Sequence, residues 1–291
     1  MESTELIKKV RKIEIRTKGM VNQIFSGEYH SVFKGRGMTF SEVREYQYGD
    51  DIRMIDWNVS ARFNHPFIKI FEEERELTVM LVVDVSASGE FGTVTQMKKE
   101  IAAELCAVLA FSAIQNNDKV GVIFFSDKIE KFIPPKKGRT HILRIVRELL
   151  DFTPDQRGTN IAEGLRYLTS AIKKRSIAFV ISDFIGDGYD DALKIAGKKH
   201  DLVALRLYDP RERELPSSGF MRVVDAETKE AMWVDSSDAG VRKAYSRWWN
   251  EREEIRTKLF RRCGIDDVNI QIDKSYIEPL IGFFKLREKR W

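Results

Sequence analysis

Short apolar runs rich in β-branched residues alternate along this chain with longer stretches in which apolar residues recur every three or four positions. The runs are typical of strands buried on both faces, and they span residues 77–83, 119–125, 177–181, 202–208 and 268–272. The periodic stretches predict helices at residues 94–115, 141–150, 161–172, 187–200, 239–262 and 276–286. This alternation predicts an α/β fold with a doubly wound, mostly parallel sheet.

Two hairpins complete this picture. Residues 129–133 follow the strand at 119–125 closely and are expected to pair with it at one edge of the sheet. Residues 219–225 and 230–234 predict a second hairpin, with its turn in the segment Ala226-Glu227-Thr228-Lys229. Gly186 or Asp187 is expected to cap the helix at 187–200.

Oxygen-bearing side chains follow the predicted strands. Asp84, Ser86 and Ser88 come directly after the first apolar run, Thr159 lies in the turn before a helix, and Asp183 ends another strand. Ligands of open α/β sheets bind at the carboxyl ends of the strands, and hard oxygen donors suit Mg²⁺. The sequence therefore predicts a site for Mg²⁺ or Mn²⁺. In the alternative interpretation, the serines cap a turn and Thr159 is a helix N-cap.

This set of residues resembles the metal-ion-dependent adhesion site of the von Willebrand factor A domain. The resemblance implies that the hydroxyls of Ser86, Ser88 and Thr159 contact the metal, and that Asp84 and Asp183 act mostly through bound water. It also implies that a protein client offers an Asp or Glu as a further ligand.

Composition narrows the class of protein. Lys and Arg number 49 against 45 Asp and Glu, for a net charge of +4. Because the two signs alternate along the chain, the pattern favours a solvated surface and predicts no nucleic-acid partner.

The two cysteines predict no disulfide framework. No apolar stretch is long enough to predict a transmembrane segment, and no signal peptide is apparent, so a cytoplasmic location is expected.

Residues 31–76 concentrate aromatic and oppositely charged side chains, which predicts a small ion-paired β module before the α/β domain. Arg44, Arg53 and Arg62 are expected to pair with Asp50, Asp51, Asp56 or the Glu72–Glu74 run. Trp57 and the tyrosines are expected in the core of this module. The predicted division is residues 1–76, which begin with a short charged helix at 6–15, and residues 77–291.

The same segment resembles the signature of the family catalogued as domain of unknown function 58. The matching residues here are Phe40, Arg44, Tyr46, Gly49-Asp50-Asp51, Ile55-Asp56-Trp57, Ser60-Ala61-Arg62 and Lys69-Ile70-Phe71-Glu72. The resemblance implies a MoxR-type AAA+ ATPase as partner, and a role in chaperone-like maturation or remodelling of a client protein.

We therefore expect a metal-dependent protein-binding adaptor rather than an enzyme. A metal-dependent hydrolase of the phosphatase type is the alternative from another class. However, Ser86 stands where an aspartyl phosphatase needs a second acid, and no G-x-S-x-G elbow is present. No nucleotide-binding motif follows any predicted strand. A metal-free scaffold is the third hypothesis.

Overall fold

The computed structural model describes residues 10–15, 17, 39–72, 76–90, 97–155 and 157–289. In chain order the strands are β1 (Thr39–Glu45), β2 (Phe67–Glu72), β3 (Thr78–Asp84), β4 (Lys119–Phe125), β5 (Ile129–Lys136), β6 (Ile177–Ser182), β7 (Asp201–Tyr208), β8 (Phe220–Val224), β9 (Ala231–Asp235) and β10 (Asp266–Gln271). The helices are α1 (Trp57–Phe63), α2 (Lys98–Gln115), α3 (Arg139–Asp151), α4 (Ile161–Ala171), α5 (Asp190–Lys199), α6 (Ala239–Cys263) and α7 (Ile277–Glu288).

The central sheet has six strands in the order β10-β7-β6-β3-β4-β5. Every neighbouring pair is parallel except β4 and β5, which form the antiparallel edge. Burial of both faces explains the apolar runs, since residues 79–83 of β3 are fully buried. The predicted α/β class, the mostly parallel sheet and the edge hairpin are confirmed.

Helices cover both faces of the sheet. Alternate residues of β3, Met80 and Val82, join a core cluster with residues of α4, α5 and α6 on one face. On α2, which packs against α3, even Glu104 is buried, and it accepts a hydrogen bond of 2.8 Å from the hydroxyl of Tyr276, the residue before α7. The fold is therefore doubly wound, as predicted.

Helix α5 begins three residues later than the sequence predicts. Gly188, which lies inside the predicted helix, has a positive φ of 81°, and a right-handed helix does not allow this conformation. The helix consequently starts at Asp190, and its N-cap is Tyr189 without a side-chain cap, so neither Gly186 nor Asp187 caps it. The predicted residues 94–96 of α2 lie outside the described residues.

The chain divides into two compact units: Phe33–Leu77 in one, and residues 78–291 with the described part of residues 1–32 in the other. The predicted division had placed residues 1–76 together. In the smaller unit, β1 pairs antiparallel with β2, and Asp56 caps α1 by accepting from the backbone N–H groups of Asn58 and Val59.

The predicted core of the smaller unit is wrong for two of its aromatic residues. Trp57 is 72% exposed and Tyr48 is fully exposed. Of the predicted ion pairs, Arg44 with Asp50 is confirmed as a bidentate contact with two distances of 2.8 Å. Asp56 instead pairs with Lys69 at 3.3 Å. The pairing expected for residues 73 and 74 lies outside the described residues.

Candidate metal centre

The predicted metal site lies where the direction of strand succession in the sheet reverses. After β3 the chain continues through α2 to β4 and β5 on one side, and then returns to β6 on the other side of β3. Asp84 ends β3, and Asp183 directly follows β6, which is parallel to β3. A crevice between the carboxyl ends of two such strands is the usual ligand site of doubly wound sheets.

The turn after β3 presents the first three predicted ligands. Asp84 accepts a hydrogen bond of 3.0 Å from the backbone N–H of Ser86, and the hydroxyls of Ser86 and Ser88 lie 3.0 Å apart. Adjacent ligands of an octahedral ion with bonds of 2.0–2.1 Å are about 2.9 Å apart. The two hydroxyls therefore have the spacing of two neighbouring ligands on one ion, as well as that of a hydrogen bond.

Thr159 lies on a loop that is attached to this turn. The backbone N–H of Ala87 donates to the carbonyl of Arg157 at 3.0 Å. Gly158 permits a close approach on its other side, because a Cβ there would lie 2.3 Å from a carboxylate oxygen of Asp127. The N-cap of α4 is Asn160, whose side chain accepts from Glu163 N, so the capping alternative for Thr159 is wrong.

The hydroxyl of Thr159 has a partner from a distant part of the chain. It donates a hydrogen bond of 2.6 Å to the carboxylate of Glu227, in the turn between β8 and β9. The sequence predicts this turn but does not indicate what it contacts. Glu227 is therefore a site residue that sequence reasoning missed.

Asp183 is buried and has partners for both carboxylate oxygens. One oxygen accepts from the backbone N–H of Ile185 at 3.1 Å, and the other accepts from the ammonium of Lys98 at 3.0 Å. Lys98 also donates to Glu212 at 2.6 Å and is only 3% exposed. No motif in the sequence marks Lys98, and Glu212 is marked only as the last residue of a capping box that begins at Asp209.

Ser182 supplies a further contact that the sequence did not predict. Its hydroxyl donates to the second carboxylate oxygen of Asp84 at 2.7 Å and accepts from the backbone N–H of Phe184 at 3.1 Å. This hydrogen bond joins the end of β3 to the end of β6. The structure thus brings Asp84, Ser86 and Ser88 together with the end of β6.

Burial and neighbouring charges shift the pKa values of three groups at this edge of the sheet. Burial, and next the charge of Asp183, raise the pKa of Asp84 to about 6. Burial also raises the pKa of Glu212. For Lys98, burial acts to lower the pKa, but the charges of Asp183 and Glu212 outweigh it and the pKa is raised. The ionised form of Asp84 is therefore disfavoured, and positive charge beside it would stabilise that form.

The donor set fits a hard divalent ion. Carboxylate and hydroxyl oxygens in a crevice are ligands that Mg²⁺ accepts while it keeps several waters. Among the described residues, no group of three or more His, Cys, Asp or Glu is arranged to hold a metal ion. The predicted site differs in kind from such clusters, since three of its five side chains are hydroxyls. The metal itself stays a prediction.

A family model described as "Protein of unknown function DUF58" matches residues 42–255. The chain belongs to this family. The region shared with DUF58 contains all of the predicted metal ligands, and it contains Lys98, Glu212 and Glu227 as well. Strand β10 and helix α7 follow the matched region.

Similar proteins include the uncharacterized protein Rv1480 of Mycobacterium tuberculosis, which is 27% identical over 99% of this chain and 92% of its own length. Among solved structures, BatB from Bacteroides thetaiotaomicron is 17% identical, with a TM-score of 0.48 over 73% of this chain and 99% of BatB. A von Willebrand factor type A protein from Catenulispora acidiphila is 8% identical, with a TM-score of 0.40 over 77% of this chain and 44% of its own.

Two further expectations concern the chain as a whole. Cys106 and Cys263 are both free thiols, in agreement with the absence of a disulfide framework. In the part of the chain that the structure describes, no helix combines the length and the apolar character needed to cross a membrane.

Proposed function

We propose that this protein is a metal-dependent protein-binding adaptor that captures a carboxylate of a client protein at the carboxyl edge of its sheet. The observation that carries the proposal is the convergence of Asp84, Ser86 and Ser88 with the end of β6, at the point where strand succession reverses. Membership of DUF58 and the A-like order of elements favour a protein-interaction domain.

The chemistry follows from the ligands. The hydroxyls of Ser86, Ser88 and Thr159 are neutral, so they would hold Mg²⁺ or Mn²⁺ without cancelling its charge. A bound ion supplies Lewis acidity toward a carboxylate oxygen. Asp84 and Asp183 would orient its waters, since each carboxylate is itself held by hydrogen bonds. An Asp or Glu of the client is the ligand that such a site selects.

The proposed partner is a MoxR-type AAA+ ATPase that remodels or matures the client. This part of the proposal rests on the family resemblance alone. In it, the adaptor performs no turnover, and the ATPase supplies the energy. Metal-dependent hydrolysis of a phosphate or peptide substrate by the purified protein, abolished by Asp84→Ala, would contradict the adaptor function and favour a hydrolase.

Titration calorimetry with Mg²⁺ tests the metal site directly. Ser86→Ala removes one of the two paired hydroxyls and is expected to weaken Mg²⁺ binding on the order of tenfold or more. Ser170→Ala is the matched control, because the Ser170 hydroxyl is exposed on α4 and donates to the carbonyl of Tyr167. Equal Mg²⁺ affinity of the wild type and Ser86→Ala would contradict the assignment of these ligands.

A metal-free interaction domain is the second candidate, and the position of Lys98 favours it. The Lys98 ammonium already neutralises Asp183 at 3.0 Å, which a cation would otherwise do. In this case the wild type binds no Mg²⁺ in the titration, and the client interaction is unaffected by EDTA.

A further inference from the structure

The hairpin of β8 and β9 forms a two-stranded sheet of its own, in a register that runs from Phe220 opposite Asp235 to Val224 opposite Ala231. Its turn is ordered by Asp225, whose side chain accepts from the backbone N–H groups of Glu227 and Thr228 at 2.8 and 2.9 Å. The direction in which the turn presents Glu227 is therefore determined within the hairpin itself.

Glu227 differs from the other polar residues of the turn in its exposure. Asp225, Thr228, Lys229 and Glu230 are exposed, whereas Glu227 is half-buried. Its carboxylate accepts the 2.6 Å hydrogen bond from Thr159, which is 68 residues away along the chain. The turn thus places a carboxylate next to the hydroxyl of Thr159, which is a predicted metal ligand.

We infer that Glu227 is the protein's own carboxylate ligand for the metal ion and occupies the coordination position that a client carboxylate takes. The inference rests on the proposed function. The separation of 2.6 Å between the Glu227 and Thr159 oxygens is close to the distance of about 2.9 Å between adjacent ligands of an octahedral ion. A client must then displace the hairpin, so the site is closed until a competing carboxylate arrives.

The β8–β9 hairpin is packed in a way that allows it to be displaced. Phe220, Met232 and Trp233 are 74%, 65% and 71% exposed, so much of the apolar surface of the hairpin is already in water. Displacing its tip therefore sacrifices little buried area, whereas movement of a core strand would expose several buried side chains. Opening the site then depends mainly on how well a client carboxylate competes with the carboxylate of Glu227.

Glu227→Gln is the discriminating variant. Its side-chain carbonyl still accepts from Thr159, so the hairpin keeps its contact, but the negative charge is lost. We expect its Mg²⁺ affinity in titration calorimetry to fall on the order of tenfold. Glu230→Gln is the matched control, in the same hairpin and exposed, and is expected to bind Mg²⁺ as the wild type does.

The titration distinguishes failure of the metal site from failure of the proposed role of Glu227. If Ser86→Ala weakens Mg²⁺ binding and Glu227→Gln does not, the metal site stands and the role of Glu227 is overturned. If the wild type binds no Mg²⁺, both are overturned. Excess acetate, used as a carboxylate probe, is expected to restore Mg²⁺ affinity in Glu227→Gln by a larger factor than in the wild type. Equal factors in the two proteins would also overturn the inference.

Amide hydrogen exchange gives a second measurement that does not depend on affinity. Mg²⁺ is expected to slow exchange in residues 225–230 of the wild type and of Glu230→Gln, because coordination holds the turn in place. In Glu227→Gln, saturating Mg²⁺ is expected to leave exchange in this segment unchanged. Equal protection in all three proteins would show that the ion does not bind the turn through Glu227.

Discussion

At the scale of single residues, the ammonium of Lys98 lies between two carboxylates, Asp183 at 3.0 Å and Glu212 at 2.6 Å. Lys98 and Asp183 are each only 3% exposed in their side chains. A charge that is buried with its partners is costly to remove, since the remaining charges lose their compensation. The compensation of the negative charge of these two carboxylates therefore depends on a lysine that begins α2.

Replacement of Lys98 by Met is expected to lower the free energy of unfolding by about 3–5 kcal/mol, because two carboxylates lose their shared partner. Chemical denaturation measures this change. Lys128→Met is the control, since the Lys128–Asp155 pair is exposed and its loss is expected to change stability little. Similar losses for the two variants would contradict the buried network.

Asp84 is a residue whose charge is expected to cost stability when no metal is present. Burial and the charge of Asp183 raise its pKa to about 6, so near neutral pH it is ionised at a cost. Asp84→Asn is expected to raise the melting temperature in EDTA by about 2 °C or more, the change that about 1 kcal/mol gives in a domain of this size. A lower melting temperature would show that the Asp84 carboxylate is structurally required. Asp155→Asn, at an exposed position, is the control.

At the scale of secondary-structure elements, the antiparallel pair of β1 and β2 in the smaller unit is held at one end by a bidentate ion pair. Both Arg44–Asp50 contacts are 2.8 Å, and the backbone N–H of Gln47 donates to the same carboxylate. The hydrogen bonds from Arg44 and Gln47 hold the pKa of Asp50 below its ordinary value. The Arg53–Asp51 pair differs, at 3.8 Å and with Arg53 89% exposed.

Removal of the Arg44–Asp50 pair is expected to loosen the pairing of β1 with β2. Arg44→Ala should speed amide hydrogen exchange in both strands, because the end of β1 loses two charge-assisted hydrogen bonds. Arg53→Ala is the matched variant and should leave exchange in both strands unchanged. Faster exchange in Arg53→Ala alone would reverse this assignment of the stabilising pair.

At the scale of the whole molecule, a buried histidine makes stability depend on pH. His200 is 1% exposed, and its Nδ1 lies 2.9 Å from the hydroxyl of Ser176. Burial, with smaller effects from Lys199 and Arg175, lowers its pKa to about 4. In the unfolded chain a histidine has a pKa of about 6.5, so between these values the unfolded state binds more protons.

Stability is therefore expected to fall as the pH is lowered through this range, by about 2 kcal/mol from this group at about pH 5. His200→Gln should show a smaller difference in the free energy of unfolding between about pH 7 and about pH 5. His65→Gln, at an exposed position, should keep the full difference. An unchanged difference in His200→Gln would contradict the buried neutral state.

Partner binding is also a property of the whole molecule, since the predicted ligands come from three separate segments. If a client carboxylate completes the coordination shell, capture of the client is expected to be lost in EDTA and in both Asp84→Ala and Thr159→Ala. Ser170→Ala should retain it. Capture of the client that is indifferent to all of these changes would refute the adaptor site and favour the smaller unit as the docking surface.

The sequence by itself determined the strands of the central sheet, most of the bounds of the helices that cover it, and the residues at the strand ends. These follow from local periodicity and from the few residues that end a buried run. Asp84 and Asp183 are predictable for this reason: each directly follows an apolar strand. Even here, local backbone geometry intervened at α5, where the positive φ of Gly188 delays the start of the helix to Asp190.

Only the tertiary structure decided what surrounds those residues. Lys98 meets Asp183 across 85 positions and Glu212 across 114, and Thr159 meets Glu227 across 68. Such contacts depend on how α2 and the β8–β9 hairpin come to lie against the edge of the sheet, and no local pattern encodes them. The exposure of Trp57 has the same origin, because burial of an aromatic residue depends on what the rest of the chain places over it.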